Sequence, residues 1–208
     1  MTLNILIRTF LSFYSIIAIG LSRPEGIALC VSVSGELERK GQVRNGIIRK
    51  GDSIYYGDKI EVEDNESLSF MTIHGRDIVD IYENSVIKIV NDKNNRNDFS
   101  EMALFGGKVI IKMDENDDRV FILNAPTAII DAKSSHFIAE YRDELLFNNN
   151  TYSVFTVLDG KIKVQNIRSG KIIYADKGET IISTRDGKFL ALDTFKNSTK
   201  IIEHLEMR

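Results

Sequence analysis

From Ile27 to Ser183 the chain alternates apolar and polar residues with a period of two, and Gly, Asp, Asn or Ser interrupts the alternation every few residues. A period of two puts successive side chains on opposite faces of an extended chain, so the pattern predicts short strands joined by tight turns. Strands are expected at 27–33, 36–39, 53–56, 59–62, 67–73, 78–82, 86–90, 99–104, 108–113, 120–124, 152–158, 161–165, 171–174 and 179–183. A further pair is expected on either side of the turn at Ala125-Pro126 within 124–141. The fold class is therefore all-β, built of stacked short antiparallel strands. Alternation of this kind suits a two-layer twisted sandwich or a β-solenoid, and two packed layers are favoured.

The turn chemistry adds detail. Ser34-Gly35 is expected to fold 27–33 back onto 36–39, while Gly51-Asp52 and Gly57-Asp58 bracket 53–56. Glycine enters positive φ freely, and an Asp carboxylate accepts neighbouring backbone N–H groups. His74-Gly75-Arg76 turns 67–73 into 78–82, and Asp159-Gly160 is a two-residue hairpin signal between 152–158 and 161–165. Gly-Lys recurs at Gly107, Gly160, Gly170 and Gly187, but without the upstream glycine, the following Ser/Thr and the helix that a phosphate loop needs; hairpin turns are the expected explanation for all four. Phe137 and Ala139 should face the core and His136 the other way. Ser134 is expected in an ordinary β conformation, so that glycine there would cost stability.

Both ends differ from the middle. Residues 1–22 carry Arg8 ahead of an apolar run at 10–21 and close on small residues at Gly20 and Ser22, the grammar of a signal peptide cleaved near Arg23, or of an N-terminal anchor if uncleaved. The chain is then exported, periplasmic or secreted, or held at the inner membrane by that segment alone. The β domain is assigned to 27–184, and the tail at 185–208 carries one short helix at 199–206.

Composition narrows the function. A length of 208 residues accommodates one domain with short flanks. A net charge of −3 offers no basic field to a nucleic acid, which excludes it as a partner. Cys30 is the sole cysteine, so no internal disulfide forms, and its apolar surroundings predict a buried, unreactive thiol. His74, His136 and His204 share no ligand spacing, and Asp114, Glu115, Asp117 and Asp118 lack the glycine and the last ligand of a calcium loop. Carboxylate pairs such as Asp77 with Asp80 and Glu61 with Glu63 are too common in this chain to single out a glycosidase. No catalytic, metal or cofactor-binding residue is expected, and the protein is read as a non-enzyme.

The ordered set Gly35, Gly51, Asp52, Gly57, Asp58, Gly75, then Pro126, Ala128, Ser134, Ser135, Phe137 and Gly160 resembles the FecR domain, the periplasmic β domain of envelope signalling proteins. The likeness runs over 27–165. Ala125 precedes Pro126 where that family usually has Thr, and Ser134-Ser135 stand where it usually has Gly-Thr. The resemblance implies a stand-alone β domain without the cytosolic anti-sigma segment, acting in signal transduction as a protein-binding or sensing module. An envelope protein bound at a strand edge or along the strand-connecting turns is the expected partner. The alternative is a lipid or glycan carrier with a continuous apolar groove.

Overall fold

The structure is a computed structural model, and it describes residues 25–73, 76–90, 100–115, 118–146 and 150–192. The signal segment, His74, Gly75, the polar loop 91–98, Asn116, Asp117, His204 and the helix expected in the tail lie outside the described residues.

The fold is all-β, as the alternation predicts. Among the described residues fifteen strands run β1 (Ala28–Ser34), β2 (Glu38–Lys40), β3 (Gly46–Ile47), β4 (Ser53–Ile54), β5 (Lys59–Val62), β6 (Ser67–Thr72), β7 (Ile78–Ile81), β8 (Ser85–Ile89), β9 (Glu101–Lys112), β10 (Phe121–Asn124), β11 (Ala128–Leu146), β12 (Asn150–Asn166), β13 (Ile172–Asp176), β14 (Thr180–Thr184) and β15 (Phe189–Leu192). They form one open mixed sheet. Nearly every described pairing is antiparallel; β10 lies parallel to β9, Leu123 beside Met102.

Three long strands organise it. The first half of β9 pairs with β8 and β10, and its second half with β7 and β11. β11 pairs with β10 through Ile129 to Ala132 and with β9 through His136 to Tyr141. Along β12, β14 flanks Tyr152 to Thr156 and β13 flanks Lys161 to Gln165, while β11 accompanies both halves. Each long strand thus belongs to two strand sets, and both sets contribute to one large core cluster that includes Phe70, Val109, Phe137 and Phe155 from one and Ile60, Ile87, Leu104 and Ile130 from the other; Tyr152, Val154 and Ile182 form a second, smaller cluster. Phe137 and Ala139 are fully buried and His136 half-buried, so the expected strand register holds.

Several local expectations are corrected. Asp159-Gly160 does not close a hairpin: β12 continues through it, because β11 keeps pairing on the far side. The same is true of Gly107-Lys108 within β9. Gly170-Lys171 and Gly187-Lys188 do sit in turns, closed by Gly170 N–H to Asn166 O at 2.9 Å and Gly187 N–H to Thr184 O at 3.1 Å. Ser34-Gly35 does not fold β1 onto β2; β1 pairs with β4 and β6, and β2 with β3 and β5. Ser134 is not in a β conformation but at φ 45°, beside a register shift in β11. Its backbone therefore sits where glycine is favoured.

Candidate functional site

Most signature residues build scaffold. At each Gly-Asp step the glycine has positive φ, 90° at Gly51 and 84° at Gly57, and the carboxylate turns back to accept the N–H three residues earlier: Arg49 to Asp52 at 2.9 Å and Tyr55 to Asp58 at 3.0 Å. Asp58 also faces Arg39 at 3.3 Å, both side chains fully buried, and burial pushes the Asp58 carboxyl up against the opposing pull of the Tyr55 N–H and Arg39. Arg39 in turn donates to Ser53 O and lies 5.6 Å from the Tyr55 ring. Gly35, at φ 94°, leaves room for the Glu66 carboxylate, which accepts the N–H groups of Glu36 and Glu63, each at 2.9 Å. Pro126 occupies the turn between β10 and β11, closed by Ala125 N–H to Ala128 O at 2.9 Å, and Ala128 is fully buried. Gly75 lies outside the described residues.

Ser134, Ser135, Phe137 and Gly160 gather at the bend of β11 and β12. Ser135 Oγ lies 2.7 Å from both Lys133 O and Lys161 O, and Met113 N–H donates to Ser135 O at 3.0 Å. These contacts clamp three strands.

Groups that could suggest chemistry are occupied. His136 sits opposite Lys112 on β9 and Asp159 on β12, and burial, then Lys112, lowers its pKa. Sequence neighbours gave it no acid; the sheet brings Asp159, whose carboxylate is held by Lys177 at 2.7 Å. The buried Asp77 accepts the Asp114 N–H at 3.0 Å and pairs with Arg119 at 3.1 Å, an ion pair invisible in the sequence. The Cys30 thiol is 1% exposed, and burial raises its pKa. Among the described residues no group of three or more His, Cys, Asp or Glu could hold a metal ion.

The scaffold also presents an open edge at β13. Among the described pairings β13 has β12 as its neighbour on one side, with its other edge unpaired. Its inward residue Ala175 is buried, but Ile172 and Tyr174 point out at 49% and 58% exposure, and Ile167 in the turn before them is 55% exposed. Lys161 Nζ stands 5.5 Å from the Tyr174 ring centroid. An apolar strip beside free backbone donors and acceptors can accept another strand, the backbone supplying affinity and the side chains selectivity.

No family model matches the chain, and no curated protein matches it. The fold is similar to two crystal structures, each of a putative anti-sigma factor from Parabacteroides distasonis ATCC 8503. One, at 2.50 Å resolution, is 15% identical with a TM-score of 0.51 and covers 65% of this chain and 59% of its own. The other, at 1.65 Å, is 16% identical with a TM-score of 0.51 and covers 69% and 64%. The chain thus spans less than two thirds of the length of either.

Proposed function

We propose that this protein is a FecR-like, non-catalytic module of the bacterial cell envelope, exported by its N-terminal segment, that binds a partner protein by strand addition along the outer edge of β13. The observation that carries the reading is the coincidence of an unpaired edge with the exposed Ile172 and Tyr174. The likeness in fold to anti-sigma factor structures and the ordered signature are consistent with a role in envelope signalling. A lipid carrier is less well supported, because the inward apolar faces pack on one another: Phe137, Phe155, Ile60 and Ile87 are each fully buried.

A photo-crosslinking residue at Tyr174, introduced in cells, should capture a protein; the same residue at Glu61, on another part of the sheet, should not. Ile172→Pro, which removes an N–H that faces the outer edge of β13, should abolish the adduct. Native mass spectrometry showing near-stoichiometric bound lipid, with no protein attached at Tyr174, would sink the reading.

A further inference from the structure

A recess lies where the bend of β9 meets the β5–β6 turn, the β7–β8 turn and the later part of β11. It is an open cleft of about 1330 Å³ lined by Asn65, Tyr82, Phe105, Lys108, Tyr141 and Asp143, among others. Small-molecule pockets usually hold about 300–1,000 Å³, so the space suits a stretch of chain better than a metabolite.

One wall is pre-organised. Asn65 and Asn84 both take left-handed backbone conformations, φ 61° and 58°. The two turns are tied together by Asn65 N–H to Glu83 Oε2 at 2.9 Å and Asn84 N–H to Glu63 O at 3.4 Å. The bend of β9 forms another wall, fixed by Lys108 N–H to Ser85 Oγ at 2.9 Å. From these walls Phe105 and Tyr82 stand 52% and 38% exposed, large apolar faces that a protein ordinarily covers.

Charge selects the occupant. Among the described lining residues the charged side chains are Glu66, Glu83, Glu140 and Asp143 with Lys108, an excess of negative charge; Glu66 and Glu83 accept backbone N–H groups and Glu140 is buried, so the exposed Asp143 is the carboxylate that faces an incoming cation. Lys108 Nζ already rests 4.9 Å from the Tyr82 centroid, an ammonium seated on an aromatic face within the recess. Aromatic faces with carboxylates beside them favour cations by quadrupole attraction and Coulomb energy together. A neutral saccharide could stack on the rings but would gain nothing from the net charge.

We infer that this cleft binds an extended peptide segment bearing Arg or Lys side chains, with a guanidinium or ammonium over Phe105 or Tyr141 and close to Asp143. It is a separate surface from the β13 edge and stands or falls without it.

The purified full-length chain should be titrated with a fluorescent Arg-Gly repeat peptide, a Glu-Gly repeat peptide and an N-acetylglucosamine oligosaccharide. The Arg-Gly peptide should bind saturably and more weakly as salt rises, and the Glu-Gly peptide should not bind. Phe105→Ala and Asp143→Lys, both at exposed positions, should each weaken it about tenfold or more, whereas Glu38→Lys and Glu61→Lys, in a glutamate-rich patch that meets the cleft at Glu66 but whose own side chains do not line it, should leave it nearly unchanged. Equal weakening by the Glu38 and Glu61 variants would reduce the effect to overall surface charge and overturn the proposal. So would absence of saturable binding, or saccharide binding lost on Phe105→Ala.

Discussion

Gly160 has no side chain because Ser135 and the Ser134 carbonyl occupy the space. A Cβ on Gly160 would lie 2.9 Å from Ser134 O and 3.1 Å from Ser135 Cα and Oγ. Gly107 and Ser85 repeat the arrangement at the bend of β9, where a Cβ would lie 2.4 Å from Ser85 Cα. At both bends a glycine with positive φ admits a buried serine, whose hydroxyl then bonds the backbone of the bending strand: Ser135 to Lys161 O, and Ser85 with the N–H and O of Lys108.

Alanine substitutions should therefore rank by crowding. Gly170 also has positive φ, but a Cβ there meets nothing within 4 Å, so Gly170→Ala should cost about 1 kcal/mol, from backbone strain alone. Gly160→Ala should cost about 2–3 kcal/mol, and Gly107→Ala more again, since backbone must shift. Urea denaturation measures all three, and equal costs would mean that the bends are not close-packed.

Ser134→Gly should raise stability by about 1 kcal/mol, relieving a non-glycine residue at φ 45°. A lowered denaturation midpoint would show that the Ser134 side chain contributes more than its backbone conformation costs.

Phe137→Ala removes a fully buried ring and should cost about 3–5 kcal/mol, whereas His136→Ala, on the half-buried face, should cost less than about 1. The reverse order in thermal or chemical melts would contradict the register of β11.

Removing Asp58 should be severe. Asp58→Ala strands the Arg39 guanidinium in the interior and should cost about 3–5 kcal/mol. Asp58→Asn isolates the charge. Burial raises the Asp58 pKa, so the folded chain holds this proton more tightly than the unfolded one. The group's contribution is then complete below the ordinary carboxylate pKa and lost as pH rises through the raised value. Wild-type stability minus that of Asp58→Asn should fall as pH is raised from about 3 to 7; a difference that grows would reverse the sign of the shift.

Cys30 should resist a maleimide in the folded protein and react fully in denaturant, because the thiol is buried and its pKa raised. Rapid labelling under native conditions would place β1 outside the core.

The local grammar was legible in the residues themselves. A period of two predicts strands wherever it occurs, and an Asp after glycine closes a turn on its own neighbours, so the all-β class, both Gly-Asp turns, the β10–β11 turn at Pro126 and the burial of Phe137 and Cys30 needed no distant contact to be read. Which strands lie side by side depends on residues far apart in the chain, and that decided the rest. Gly160 and Gly170 look alike in sequence and share positive φ, yet one bends a strand and the other reverses it. The difference is that β11 extends past Gly160 and keeps both halves of β12 paired, whereas after Gly170 the chain turns back onto β12 itself. The candidate edge was hidden for the same reason: Ile172 and Tyr174 have the alternation of any core-facing strand, and only the order of strands leaves them at a border. The acidic cleft is likewise a product of packing, since its carboxylates and rings come from separate turns and strands that the folded sheet brings together.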